Sequence, residues 1–161
     1  MESYHPSYFD RRYWSDNKFS WAYALLILVF VILFAIILKS AGIYQGAALR
    51  SINIFFILIG FILLMQDYQK STSKQLTYVQ AFLLLTRTGV YFCLLFFPVL
   101  LIYIDMYHGE LNEVITHETF TSDLPVLQIV LTTYQVTFPA TIICAMTVAH
   151  LIRYGKKRNK Q

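Results

Sequence analysis

From Ala24 to Leu38 the chain carries no polar side chain at all. A helix that is apolar on every side has no face to offer water. With its flanks, the run from about Phe19 to Leu38 reaches about 30 Å at 1.5 Å per residue, the depth of one hydrocarbon core. Charged residues make up 14% of the 161 residues, where a soluble domain carries about 25%. That is too few for a water-facing surface. It suits a lipid-facing one, where each buried charge costs about 2.5–3.5 kcal/mol.

Three more hydrophobic regions follow, so the expected fold is an all-α membrane protein, a single-domain bundle of four transmembrane helices over residues 1–161. The spans are placed at about 19–38, 47–68, 77–107 and 126–153. Residues 1–18 mix rings (Tyr4, Tyr8, Phe9, Tyr13, Trp14) with charges and are read as an interfacial segment, with the first span an uncleaved anchor. Gly42 and Gly46 mark a short outer loop, and Gln66 to Gln75 reads as a polar inner loop. The third region is long for one crossing. Either the helix tilts, or residues 77–88 form an interfacial turn before a deep span from Gly89 to Ile104. Residues 105–125 form an acidic outer loop, and residues 154–161 a basic tail. The fourth helix is expected to be the most buried and the first the most peripheral.

Charge fixes the orientation. Of thirteen basic residues, three precede the first span, two lie in the middle loop and five lie in the tail from Arg153 to Lys160. With both termini inside, ten face the cytoplasm and two, Lys39 and Arg50, face out, which predicts an inner (plasma) membrane protein with cytoplasmic termini. The same distribution argues against nucleic acid as a partner, because no folded basic patch interleaved with aromatics accompanies the net charge of +4. Membrane lipid is the expected contact, along with a second copy of the chain or a larger membrane complex.

Polar groups inside the spans are the places where chemistry can reside. Gln128, Thr132 and Gln135 recur with Pro139 at i, i+4, i+7 and i+11, on one face of the fourth helix. Thr133, Thr137, Thr141, Ala145 and Ala149 recur every four residues and form a stripe of small side chains. Such a stripe lets helices approach closely and bond across the contact; a polar, water-lined seam is the other reading. Arg87, between Thr86 and Thr88, is the sharpest single residue, either functional or snorkelling to the inner interface. By depth its partners are expected near Thr141 to Thr147, with no intramembrane carboxylate to pair with it.

No catalytic or metal constellation is visible. Asp105, His108, Glu110, Glu113, His117 and Glu118 are ligand types without a recognised spacing, and Cys93 and Cys144 read as buried apolar thiols. No cofactor is expected, because transmembrane haem needs paired axial ligands and His150 is the one histidine within a span.

From Gln66 onward the order of features is distinctive. Asp67-Tyr68-Gln69-Lys70 closes a span, then come Leu76-Thr77-Tyr78-Val79-Gln80-Ala81-Phe82, a long hydrophobic segment, an acidic outer loop and a final helix with a basic tail. This layout resembles the four-helix membrane proteins of Bacteroidota grouped as domain-of-unknown-function family 4199. It covers most of the chain and departs from the family pattern before Leu76, where the usual glycines are missing. The resemblance implies an inner-membrane location and no assigned activity, so no catalytic residue is carried over.

The sequence therefore points to a non-enzymatic membrane component, a structural or accessory subunit, with a small oligomeric transporter or channel as the alternative. The orientation predicts that a cysteine placed at Glu113 is labelled by a membrane-impermeant thiol reagent from outside intact spheroplasts. Labelling that appears only after lysis would invert the topology.

Overall fold

Helix starts are set by capping groups near the points where the hydrophobic runs begin. Ser15 Oγ accepts from the Lys18 amide at 3.3 Å and opens the first helix. Thr77 and Gln80 form a reciprocal capping box: the Gln80 amide donates to Thr77 Oγ1 at 3.4 Å, and the Thr77 amide donates to Gln80 Oε1 at 3.0 Å. A proline, Pro125, occupies the first position of the last helix, where its missing N–H costs nothing.

The computed structural model describes residues 11, 14–41, 46–72, 76–106 and 125–158, with positions 39, 46–53, 103–106, 125–129, 132 and 153–158 described in backbone alone. Its helices are α1 (Asp16–Ser40), α2 (Gly46–Thr72), α3 (Tyr78–Met106) and α4 (Pro125–Arg158). All four are long and apolar enough to cross a membrane, and no strand occurs among the described residues. The protein is a four-helix membrane bundle.

Two helix ends differ from expectation, and one alternative is decided. α2 continues through the polar stretch to Thr72, past the expected end at about residue 68 and further into the segment read as a loop. α4 runs on to Arg158, into the segment read as a tail. In both cases the backbone hydrogen-bond ladder persists past the last apolar residue. Of the two readings of the third region, α3 is the single long helix, from Tyr78 to Met106, without an interfacial turn over 77–88.

Around the bundle the order is α1, α2, α4, α3. α1 and α4 each pack against both α2 and α3, while α2 and α3 barely touch across the diagonal. No helix is central, which corrects the expectation of an innermost fourth helix. Each of the four spans buries a similar share of its length: 28% for α1 and 33% for α2, α3 and α4. α1 buries Phe19, Tyr23 and Ile27 on one stripe and leaves Leu25, Val29, Leu33 and Ile36 exposed. An exposed apolar surface of that kind is a lipid-facing one.

Glycines set the closest approaches. A methyl group at Gly60 would overlap Ile27 of α1, and one at Gly89 would overlap the Thr141 methyl of α4. The stripe of Thr133, Thr137, Thr141, Ala145 and Ala149 is buried along its whole length and lies on the packed side of α4. Its central hydroxyl acts within its own helix, because Thr141 donates to the Thr137 carbonyl at 2.7 Å, as Thr88 of α3 does to Leu84 at 2.9 Å. Pro98 leaves the Leu94 carbonyl without its usual i+4 donor, and the next carbonyl, that of Cys93, accepts from the Tyr134 hydroxyl of α4.

Gly89→Leu is expected to lower stability in detergent by about 1–3 kcal/mol through overpacking, while Val90→Leu, on the exposed side, is expected to be neutral. Thermal unfolding of the two variants checks this. Equal midpoints would mean that α3 and α4 do not meet at Gly89.

Candidate functional site

A polar cluster gathers where α1 begins and α2 ends. The helices are antiparallel, which brings the first turns of α1 beside the last turns of α2. The Tyr23 hydroxyl of α1 donates to Asp67 Oδ2 of α2 at 2.8 Å, and the Tyr68 hydroxyl of α2 donates to Asp16 Oδ1 of α1 at 2.6 Å. Each helix thus supplies one tyrosine and one carboxylate, and the two bonds run in opposite directions. Hydrogen bonds to an ionised acceptor are stronger than neutral ones. Both tyrosines are buried, at 8% and 3% exposure, so their hydroxyls have little water to fall back on.

Neighbouring groups brace this clamp. Arg11 pairs with the same Asp67 oxygen at 2.5 Å, but its side chain is 54% exposed, and so the pair adds little stability. Trp14 packs edge-on to Phe19, and Phe19 edge-on to Tyr68, with both centroid separations 5.2 Å. The Lys18 ammonium lies 4.7 Å from the centre of the Trp14 ring. On the α3 side, Tyr91 donates to Asn17 Oδ1 at 2.5 Å and stacks on Trp21 with centroids 4.4 Å apart. The first turns of α1, the last turns of α2 and the middle of α3 are therefore tied together.

Between them lies an open cleft of about 500 Å³. Trp14 to Asn17 line it from the start of α1, Tyr68, Ser71 and Thr72 from the end of α2, and Arg87 from α3. The Thr72 hydroxyl is used within α2, donating to the Tyr68 carbonyl at 2.7 Å. Arg87 is exposed and makes no hydrogen bond or ion pair among the described residues. Its neighbours across the cleft belong to α1 and α2 rather than to the Thr141 to Thr147 segment of α4. They include a carboxylate, Asp16, which the sequence reading did not provide for. The buried hydroxyls of Ser20 and Thr86 have no hydrogen-bond partner among the described residues and serve as small packing groups.

Of the residues proposed for a polar face of α4, Gln135 does not join this cluster. Gln135 is exposed on the outside of the bundle, as is Pro139. The side chains of Gln128 and Thr132 lie outside the described residues. Tyr134, next to Gln135, meets Cys93 and Phe97 of α3, whereas Arg87 lies two positions before Gly89, which meets Thr141. Gln135 and Arg87 are thus about two helical turns apart along the bundle, about 11 Å. Of the acidic outer segment, Asp105 is described in backbone alone, and His108, Glu110, Glu113, His117 and Glu118 lie outside the described residues. No cluster of metal-ligand types occurs among the described residues.

Asp16, Asn17, Tyr23 and Tyr91 were not singled out by the sequence, and Asp67-Tyr68 were noted only as the close of the second span. The signal was present in part: Asp16 and Tyr23 are seven residues apart, two turns on one helix face, and Asp67-Tyr68 lies within reach of both once α2 is allowed to continue. No protein-family model matches this sequence, and no curated protein or solved structure matches it either.

A double-mutant cycle on Tyr23→Phe and Asp67→Asn is expected to give a coupling of about 0.6–1.7 kcal/mol in detergent unfolding. Ser20→Ala, which removes a hydroxyl without a partner, is expected to change stability by less than about 0.5 kcal/mol. Additive effects of Tyr23→Phe and Asp67→Asn would remove the clamp from the account.

Proposed function

We propose that the protein is a non-enzymatic inner-membrane component, a structural or accessory subunit that works by assembling with other membrane polypeptides. The observation that carries this reading is the position of Gln135. This amide side chain sits on the outer face of α4, within a helix apolar enough to span the bilayer. Lipid tails offer such a group no hydrogen bond, and another helix does. The interior supports the same reading, because it is filled by Phe19, Phe61, Phe92, Leu64 and Leu85, each fully buried. A packed ring core of this kind is a scaffold rather than a path through one chain.

The charge asymmetry supports cytoplasmic termini, and the resemblance in layout to the Bacteroidota family 4199 proteins supports an inner-membrane location. The second reading, a small oligomeric transporter or channel, rests on the same Gln135, which would then face a seam between copies.

The mass of the complex extracted gently from native membranes, with its polypeptides identified, separates these readings. Foreign polypeptides in fixed stoichiometry, lost on Gln135→Leu, are the expected result. A homo-oligomer alone would favour the channel and call for flux assays on Gln135 variants. A monomer that is unchanged by Gln135→Leu would overturn both.

A further inference from the structure

Arg87 interrupts a lipid-facing stripe. Val79, Leu83, Val90 and Leu94 precede and follow it at i−8, i−4, i+3 and i+7, on one side of α3, and their exposures are 60%, 56%, 38% and 61%. An arginine at the centre of such a stripe draws a counter-charge from the membrane or snorkels away from it. Here it lines a cleft that also holds Asp16, and the two do not form an ion pair with one another. One cation and one anion thus line the same open cleft of about 500 Å³.

From this arrangement we propose that the cleft binds the zwitterionic headgroup of a phospholipid with a primary amine, a phosphatidylethanolamine. The phosphate takes Arg87, whose planar fork suits two phosphate oxygens. Two more donors face the same cavity. Asn17 has its carbonyl oxygen committed to Tyr91 at 2.5 Å, which leaves its NH2 group to donate. Ser71, from the last turn of α2, offers a hydroxyl. The ammonium takes Asp16. One of its oxygens already accepts from Tyr68 at 2.6 Å, which fixes the carboxylate in place and leaves lone pairs open. The apolar stripe that continues from Arg87 along the body of the bundle, Val90 and Leu94, gives the acyl chains a surface to lie along, and this selects a lipid over a water-soluble phosphoamine. Selectivity follows from the pair of charges: a glycerol headgroup leaves Asp16 facing an anion, and a trimethylated amine has no N–H to donate to it.

The test is native mass spectrometry of the full-length protein in detergent, titrated with phosphatidylethanolamine, phosphatidylglycerol or phosphatidylcholine. Wild type is expected to retain phosphatidylethanolamine at least tenfold better than either of the others. Arg87→Gln is expected to lower retention of all three by tenfold or more. Asp16→Asn is expected to abolish the preference while leaving phosphate-dependent binding. Tyr68→Phe, which removes the clamp bond but keeps the carboxylate, is expected to retain the preference, and this separates loss of charge from loss of fold. Equal retention of the three lipids by wild type, or retention unchanged in Arg87→Gln, would overturn the proposal. Displacement by soluble O-phosphoethanolamine at concentrations equal to the lipid's would overturn the assignment to lipid and leave a water-soluble phosphoamine as the ligand.

Discussion

A carboxylate at the end of a membrane helix must reach water or find a donor, and in this protein Asp16 and Asp67 find tyrosines on each other's helices. The two crossed bonds hold the start of α1 against the end of α2. Their geometry depends on α2 remaining helical through Thr72, which brings Asp67 and Tyr68 opposite the first turns of α1. The Tyr91–Asn17 bond and the Tyr91–Trp21 stack extend the same polar layer to α3. Above this layer the described contacts are mainly ring and methyl packing, with the Tyr134 hydroxyl of α4 donating to the Cys93 carbonyl beside Pro98. The cleft at Arg87 is a consequence: three helix segments are tied at their edges and enclose a polar space between them.

The opposite wall of the bundle follows a different rule. α4 meets its neighbours through small side chains, and Thr141 satisfies its hydroxyl on its own helix. Because Thr141 needs no polar partner on α3, the backbones can approach until glycine is needed, as at Gly89 against Thr141. Close van der Waals contact replaces hydrogen bonding as the source of specificity. The result is a bundle with one polar, clamped layer and a mainly apolar, tightly packed remainder, with Gln135 directed outward and Arg87 at the edge of the polar cleft.

The helices themselves were legible because lipid permits little else. A run such as Ala24–Leu38 has one stable form, and the third span, placed from residue 77, begins within a residue of the start of α3. The four-residue repeat on α4 was legible as a shared face, and the structure places that face on the packed side. What could not be read was the continuation of helices into polar sequence, since Gln66 to Thr72 carries a loop's composition and takes its helical form from contacts with Tyr23, Asp16 and Phe19. The order of helices around the bundle was equally hidden. Short connections suggest neighbours, yet α2 and α3 lie across a diagonal with α1 between them, and Arg87 lines a cleft shared with the start of α1 and the end of α2.

The arrangement that makes the cleft is the contact of α1 with α3 on one side and α2 on the other, and disulfide crosslinking in native membranes measures it most directly. In a background lacking Cys93 and Cys144, the account predicts that W21C and Y91C, whose parent rings stack at 4.4 Å, crosslink rapidly within one chain. W21C paired with T147C, on the diagonal helix, is predicted not to crosslink. Efficient crosslinking of W21C to T147C, with none to Y91C, would exchange the neighbours of α1 and contradict both the clamp layer and the cleft it encloses.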